Sequence, residues 1–161
     1  MENLLILGAG QFGQVTKEIA ESLNIFDKID FLDDNSEIAI GKMMDYTRFA
    51  GEYQRAIVAI GNPELRKEWL QKLKELYRID SIISPRAYIS KSAIIGEGNI
   101  MEPASFVNSN TIIGDGCILC AGSIINHNSI IGDYCHLNCG SIVKSNSKVE
   151  NGTKVDYGEI V

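Results

Sequence analysis

The two histidines of the chain, His127 and His136, are the residues best suited to acid–base chemistry. An imidazole titrates near neutral pH, so it can take a proton from an attacking amine or hydroxyl. His127 lies between two asparagines, in Asn126-His127-Asn128, and His136 follows nine residues later. A polar turn residue would explain His127, and an exposed or interface imidazole would explain His136. The histidines alone therefore leave both interpretations open.

A glycine-rich turn near the N-terminus is a second candidate site. The sequence Gly8-Ala9-Gly10-Gln11-Phe12-Gly13 fits G-x-G-x-x-G and follows the apolar run Leu4–Leu7. Glycines between a strand and a helix let backbone amides approach a phosphate. Asp33 and Asp34 follow the next apolar run, where an acid can bond a ribose hydroxyl. Gly61-Asn62 follows a further buried strand, and it opens the next helix.

This turn, taken alone, predicts a nicotinamide cofactor. Only about 80 residues form this part of the chain, which is one mononucleotide half of a doubly wound sheet. A nucleotide diphosphate such as a nucleotide-sugar fits that size better. A tight strand-to-helix turn without a ligand is the structural alternative.

A six-residue repeat from Ile83 to Val161 must position the histidines. Every sixth residue is aliphatic: Ile83, Ile89, Ile95, Met101, Val107, Ile113, Leu119, Ile125, Ile131, Leu137, Val143, Val149, Val155 and Val161. This period fits neither a helix face nor a simple amphipathic strand, and it predicts a solenoid of short strands. Gly or Asn three residues later suits the positive φ of each corner. If three hexads make one coil, residues eighteen apart stack at about 4.8 Å.

The residue before each inward aliphatic should point outward. Most members of this row are also apolar: Ile94, Ile100, Phe106, Ile112, Ile118, Ile124, Ile130 and Ile142. Apolar residues on every face of an isolated prism would leave a large exposed hydrophobic surface. We therefore expect the N-terminal domain or another subunit to cover some faces, and we predict an oligomer.

The four cysteines resemble half of a zinc site, because Cys117 and Cys120 form a CxxC pair. The repeat offers another explanation. It places Cys117 and Cys135 at the small inward position and Cys120 and Cys139 at corners. Since no second CxxC or HxxxH is present, we expect small packed or turn residues in a reducing compartment, and no metal.

The pattern of residues 1–82 is strand, helix, strand, strand, helix, which predicts an α/β Rossmann-like half-domain. Residues 83–161 are predicted to form an all-β parallel β-helix. The net charge of −6 and pI of about 4.9 argue against nucleic-acid and anionic-membrane partners. The apolar run Leu4–Leu7 is too short for a signal peptide or a membrane span, so we expect a cytoplasmic protein.

The hexapeptide repeat, preceded by GAGQFG, FLDDN and AIGN, resembles the NeuD/PglD-like sugar acetyltransferases. This resemblance covers nearly the whole chain. It implies a left-handed parallel β-helix, a homotrimer with active sites between neighbouring β-helices, and acetyl-CoA as co-substrate. The acceptor would be an amino or hydroxyl group of a nucleotide-linked or sialic-acid-like sugar, and the residues do not decide between N- and O-acetylation.

The resemblance also implies residue roles. His127 matches the general base, His136 matches a histidine near the acceptor and acetyl group, and Gly140 matches a glycine near the thioester. The nucleotide-sugar motifs match at the following positions: Gly8, Gly10, Gly13, Asp33, Asp34, Gly61 and Asn62.

Two departures from the family pattern bear on catalysis. Relatives place an acid after the base, whereas this chain has Asn128, which lacks the charge that would stabilise an imidazolium. Relatives also carry further coils that help to bind coenzyme A, and this sequence stops at Val161. The alternatives to an acetyltransferase are therefore an impaired nucleotide-sugar-binding trimer and a nicotinamide-binding domain on a trimerising stem.

Overall fold

The computed structural model describes all 161 residues and contains one open sheet and a three-sided prism of short strands. The open sheet is parallel, with strand order β2-β1-β3-β4. Its strands are β1 (Glu2–Leu7), β2 (Phe26–Leu32), β3 (Arg55–Val58) and β4 (Arg78–Ile79). Two α-helices, α1 (Gln11–Ser22) and α2 (Pro63–Leu73), and a 3₁₀ segment (Met43–Phe49) connect them.

The central strand and the two helices follow from local sequence features. Residues Leu4–Leu7 of β1 are fully buried, because both faces of this parallel sheet are covered. The N-cap of α2 is Asn62, whose Oδ1 accepts a hydrogen bond from the Leu65 amide at 3.0 Å. Trp69 and Leu73 on α2 are buried in the same core cluster as β1 and β3. The carboxyl ends of β1 and β3 are thereby held side by side.

The prism consists of thirteen two-residue strands in three parallel sheets. Sheet I contains β5 (Ile82–Ile83), β8 (Ile100–Met101), β11 (Ile118–Leu119), β14 (His136–Leu137) and β17 (Lys154–Val155). Sheet II contains β6 (Tyr88–Ile89), β9 (Phe106–Val107), β12 (Ile124–Ile125) and β15 (Ile142–Val143). Sheet III contains β7 (Ile94–Ile95), β10 (Ile112–Ile113), β13 (Ile130–Ile131) and β16 (Lys148–Val149). The chain passes from sheet I to II to III and back to I in each coil.

Stacking of residues eighteen apart is confirmed. Ile113 pairs with Ile95 and Ile131, and Leu119 pairs with Met101 and Leu137. The second residue of each of these strands points into the prism, and Leu119 and Leu137 have no exposed surface. The nine Gly and Asn corners predicted from the repeat all have positive φ: Gly98, Asn110, Gly116, Gly122, Asn128, Gly140, Asn146, Gly152 and Gly158. The left-handed parallel β-helix predicted from the sequence is the fold of this region.

The outward apolar row is covered on one sheet and exposed on another. Ile82, Ile100 and Ile118 of sheet I are at most 1% exposed, and the first two pack against the open sheet and α1. Ile94, Ile112 and Ile130 of sheet III are 63%, 42% and 45% exposed. The N-terminal region therefore covers sheet I, and within one chain nothing covers sheet III.

The open sheet ends at Ile79, and Ile82 already pairs with Ile100 in the prism. The domain boundary between residues 82 and 83 stays a prediction. None of the helices has the length and apolar character needed to cross a membrane.

Candidate functional site

The glycine-rich turn joins β1 to α1, and its glycines serve different purposes. Gly8 has φ of +103°, and a Cβ there would lie 2.7 Å from the Ala59 carbonyl oxygen. A Cβ at Gly13 would lie 2.1 Å from the Gly8 carbonyl oxygen, so α1 can approach the turn only with glycine there. A Cβ at Gly10 would meet nothing within 4 Å. Gly8 and Gly13 therefore permit close packing, while Gly10 leaves open space beside the backbone.

Gly10 is also the N-cap of α1, and it contributes no capping side chain. The first turn of α1 contains no acidic residue. The first amides of a helix have no intrahelical partner and carry partial positive charge. This uncapped N-terminus is therefore suited to binding a phosphate.

Asp33 links the end of β2 to the glycine-rich turn. Its Oδ2 accepts a hydrogen bond from the Ala9 amide at 2.8 Å, and its Oδ1 accepts one from the Asn35 amide at 2.8 Å. Partial burial raises the pKa of Asp33, but the backbone amides of Ala9, Asn35 and Ser36 outweigh it and lower the pKa overall. The neighbouring Asp34 accepts from the Met43 amide at 3.0 Å. Both carboxylates thus hold loops at the carboxyl end of the sheet.

Gly61 and Asn62 are exposed after β3, beside β1 in the sheet. The strand order reverses between β1 and β3, and ligands of open α/β sheets bind at such a point. A Cβ at Gly61 would also meet nothing within 4 Å. The strand order therefore places the exposed Gly10 and Gly61 at one edge of the sheet, with Asp33 beside them and Gly8 buried beneath, and this edge between the carboxyl ends of β1 and β3 is the crevice.

Arg66 connects the loop after β3, at this crevice, to the prism. The sequence patterns did not predict this role. It is fully buried, and its guanidinium donates to the carbonyl oxygens of Ile60 at 2.8 Å and Gly61 at 2.9 Å. It also donates to the carbonyl oxygens of Gly116 and Tyr134, both at 2.6 Å. Burial lowers the pKa of Arg66. Because its partners are backbone carbonyls, no residue type could have signalled the role.

His136 lies on sheet I next to this crevice. Its ring centroid is 6.4 Å from that of Phe12 in the glycine-rich turn, and its Nε2 is 3.4 Å from Cys120 Sγ. Burial lowers the pKa of His136 to about 4, with smaller contributions from the charges of Arg66 and Lys154. The ring is therefore neutral at pH 7.

His127 lies elsewhere, at the exposed corner between sheets II and III. Its Nδ1 is 3.0 Å from Asn128 Oδ1. An amide oxygen only accepts hydrogen bonds, so Nδ1 carries the proton and Nε2 is the basic nitrogen. Asn128 has φ of +61°, a conformation that Asn tolerates better than most residues. Asn128 therefore forms the corner and orients the ring of the adjacent histidine.

A single chain does not bring His127 and His136 together. In a three-sided prism, the corner between sheets II and III lies opposite sheet I, which carries His136 and the N-terminal domain. The surface cavities of the chain, such as the one lined by Ser84 and Arg86, contain neither histidine and none of the predicted nucleotide-sugar residues. In one chain, the crevice and the exposed imidazole of His127 are therefore two separate parts of the surface, and neither lies in an enclosed cavity.

Gly140 lies at the corner between sheets I and II. It stacks between Gly122 and Gly158, and a Cβ on Gly140 would come no closer than 4.0 Å to the Gly158 nitrogen. These three corner glycines form an edge of the prism without side chains. Beside it, the side chains of Glu102, Cys120 and Cys139 meet, a cluster that the sequence reading missed.

Residues 3–73 match the family model described as the PglD N-terminal domain. The first part of the chain is therefore similar to PglD N-terminal domains. The resemblance to the NeuD/PglD-like proteins that the sequence motifs predicted is thereby confirmed. The matched residues include the glycine-rich turn, Asp33 and Gly61–Asn62.

One curated relative is the UDP-N-acetylbacillosamine N-acetyltransferase of Bacillus subtilis (strain 168), which is 32% identical over 112 residues. The alignment covers 63% of this chain and 51% of the relative, so the chain spans about half the length of that protein.

Solved structures of similar proteins share the fold of the whole chain. The acetyltransferase domain of PglB from Neisseria gonorrhoeae FA1090 in complex with acetyl coenzyme A has a TM-score of 0.81 and 25% identity, covering 98% of this chain and 89% of that one. PerB from Caulobacter crescentus in complex with CoA and GDP-perosamine has a TM-score of 0.87 and 22% identity, covering 100% and 89%.

Proposed function

We propose that this chain is an acetyl-CoA-dependent acetyltransferase acting on a nucleotide-linked sugar. The observation that carries the proposal is the ring of His127, whose Nδ1 is bonded to Asn128 Oδ1 at 3.0 Å. Its basic Nε2 remains available at an exposed corner. The names of the relatives support the same activity, since they are sugar acetyltransferases or acetyltransferase domains.

The reaction we propose is direct transfer. The acceptor group of the sugar attacks the carbonyl carbon of the thioester, and His127 Nε2 takes the proton that this group loses. The bond from carbon to sulfur then breaks, and coenzyme A leaves as a thiolate, which takes the proton back from the His127 imidazolium. No covalent enzyme intermediate is required. An acceptor amine is favoured over a hydroxyl because the curated relative is named as an N-acetyltransferase.

The nucleotide part of the acceptor would bind at the PglD-type crevice. The uncapped N-terminus of α1 would hold the diphosphate, and the open space at Gly10 and Gly61 lets the backbone approach it. Asp33 and Asn62 flank this position, and Asp34 supports the loop beside Asp33. His136, neutral and partly buried next to Phe12, would contact the sugar or the acetyl group.

Acetyl-CoA would lie along the glycine edge at Gly140. Side chains are absent at Gly122, Gly140 and Gly158. A Cβ on Gly140 would lie 4.0 Å from the nearest atom, the Gly158 nitrogen, which is an ordinary van der Waals distance. An extended ligand could therefore contact the backbone of successive coils. The residues present fit a thioester near Gly140.

A homotrimer would complete the site. His127 and the crevice are on opposite sides of one prism, so one chain cannot use both on a single substrate. The exposed apolar row of sheet III adjoins the corner that carries His127. An assembly that buries this row would bring His127 against a neighbouring subunit. We therefore infer that each active site combines His127 of one subunit with the crevice of the next.

The deciding experiment supplies acetyl-CoA and a panel of nucleotide-linked amino sugars, and follows thiol release and the product mass. Turnover is expected for at least one sugar, and His127→Ala should abolish it while the oligomer stays intact. Ser145→Ala changes the corner position one coil further along and should leave turnover unchanged. Sugar binding without any turnover would contradict the enzymatic role.

The alternative function is that of a nucleotide-sugar-binding trimer with impaired catalysis. The observation that favours it is Asn128, because an amide orients the ring without supplying negative charge. Retained binding of a uridine diphosphate sugar without acetyl transfer would identify this function. Binding of NADH in place of the sugar would instead identify a nicotinamide-binding domain on a trimerising stem.

The four free cysteines fit the predicted cytoplasmic location, which remains a proposal.

A further inference from the structure

Glu102, Cys120 and Cys139 form a cluster of metal-binding side chains at the corner between sheets I and II. One carboxylate oxygen and the two sulfur atoms all lie within 4.8 Å of one another. The cluster includes two cysteines that the repeat had classified only as corner residues. Their contact is made across coils, so a search for sequence-local CxxC pairs does not find it.

The eighteen-residue period explains why these residues meet. Glu102 and Cys120 occupy the same position of successive coils, and Asn138 occupies it in the next. The amide of Asn138 is buried and donates to the Val155 carbonyl oxygen at 2.9 Å. The following residue, Cys139, supplies the thiol that joins the cluster. Three successive coils thus contribute one side chain each.

The donor atoms are those that a thiophilic cation prefers. Two thiolates and a carboxylate suit Zn²⁺, whereas Mg²⁺ and Ca²⁺ prefer oxygen ligands alone. With zinc–ligand bonds of about 2.0–2.3 Å, the ligand atoms of a tetrahedral site lie roughly 3.3–3.8 Å apart. The cluster therefore needs to close only slightly around a cation. The cluster supplies three protein ligands, which leaves the fourth position of a tetrahedral site for water.

We propose that Glu102, Cys120 and Cys139 bind a thiophilic divalent cation, best matched by Zn²⁺, as its three protein ligands. The cation would join three coils at the edge that carries Gly140. Glu102 is already held in place, because its Oε2 accepts a hydrogen bond from the Ala121 amide at 2.8 Å. The proposal does not depend on acetyl transfer, and its test uses the metal alone.

The test is a titration of the metal-free full chain with Zn²⁺ by calorimetry and with Co²⁺ by absorption spectroscopy. One metal ion per chain is expected, together with a thiolate-to-cobalt charge-transfer band. Cys120→Ser and Cys139→Ser should each weaken Zn²⁺ binding by at least about tenfold, because even loss of a supporting group around a zinc site has that effect.

The chain offers matched controls in its other two cysteines. Cys117 and Cys135 are fully buried in the prism, where their thiols face the carbonyl oxygens of Gly132 and Glu150. Serine already occupies the equivalent inward position of other hexads, for example at Ser123. Cys117→Ser and Cys135→Ser should therefore keep both the fold and the metal.

A measurement on the unaltered chain covers the case in which a variant fails to fold. Zn²⁺ should protect the exposed Cys139 from alkylation by iodoacetamide, as read by mass spectrometry. The proposal is overturned if Cys139 is alkylated at the same rate with and without Zn²⁺. It is equally overturned if Co²⁺ shows no thiolate band, or if folded Cys120→Ser and Cys139→Ser proteins bind Zn²⁺ as the controls do.

Discussion

The guanidinium Nε of Arg66 donates to the carbonyl oxygen of Gly116 at 2.6 Å, and this bond joins helix α2 to a corner of the β-helix. The same side chain donates to the Gly61 carbonyl oxygen at 2.9 Å in the loop after β3. Because it also donates to the Tyr134 carbonyl oxygen at 2.6 Å, just before β14, one buried cation links the crevice to the strand that carries His136. Its partners are carbonyl oxygens rather than carboxylates, so its charge is solvated by backbone dipoles.

Replacing Arg66 with methionine should destabilise the fold and loosen the crevice. The change leaves the carbonyl oxygens of Gly61, Gly116 and Tyr134 buried without this donor. Hydrogen bonds to charged groups contribute about 1.5–3 kcal/mol each, so the free energy of unfolding should fall by about 3 kcal/mol or more. Urea denaturation followed by circular dichroism measures the loss.

The control for this change is Lys67→Met, which removes a neighbouring positive charge from the exposed face of α2. The stability of that variant should stay close to that of the unaltered chain. Equal losses in the two variants would mean that the Arg66 contacts contribute little.

Asp33→Asn should make the stability of the chain less dependent on pH. Amides of Ala9 and Asn35 lower the pKa of Asp33 against the opposing effect of burial, so its carboxylate stabilises the folded chain above pH 3.8. That contribution is lost as the pH falls through the lower pKa of the folded state. The variant should be about 1 kcal/mol less stable at pH 7, and the gap should narrow in acid. Chemical denaturation at pH 7 and in acid measures this difference in stability. The control is Glu37→Gln, which changes an exposed carboxylate. A gap that does not change with pH would contradict the assignment.

The repeat made the prism predictable because its signal is carried by residue type at a fixed period. The columns through Ile113 and Leu119 and the inward position of Cys117 follow from counting eighteen residues, and the structure confirms them. The glycine-rich turn was predictable for the same reason. At Gly8 and Gly13, only glycine leaves room for the backbone of Ala59 and of the turn itself.

Other parts of the candidate site depend on information that residue type does not carry. Arg66 acts through carbonyl oxygens, which every residue possesses. Cys120 meets Cys139, which is nineteen residues later, and not the residue eighteen later that the repeat would predict. That residue, Asn138, points inward, so the repeat alone does not reveal the cluster. Which outward face the N-terminal domain covers also depends on the path of the chain near Ile82, and the repeat alone does not determine that path.

Asn128→Asp should increase acetyl transfer if His127 is the base. The side-chain oxygen of Asn128 already bonds His127 Nδ1 at 3.0 Å, and aspartate supplies the same acceptor with a negative charge. That charge stabilises the imidazolium formed when the acceptor loses its proton. Aspartate also tolerates the φ of +61° at this position. A gain of about tenfold or more in kcat is expected from thiol-release kinetics, with KM little changed.

The matched control is Asn146→Asp, which makes the same substitution at the corresponding corner one coil later, where φ is +60°. Its carboxylate lies a coil away from the ring, so its effect on kcat should be much smaller. The same gain in both variants would indicate a general effect of negative charge, and a loss in Asn128→Asp alone would argue against the proposed role of the ring.

Ile112→Lys should convert the proposed trimer to a monomer. Ile112 is 42% exposed in the middle of sheet III, between Ile94 and Ile130, and a buried subunit contact there would have to desolvate the ammonium group. Light scattering after gel filtration should give three times the chain mass of 17.7 kDa for the unaltered protein and a single chain mass for the variant. Lys148→Glu alters the same row where it is already charged, so the trimer should persist.

If the active site combines two subunits, acetyl transfer should disappear with the trimer, although the monomeric variant should still bind the nucleotide-sugar. A monomeric but fully active Ile112→Lys variant would show that one chain suffices, which would contradict the shared site.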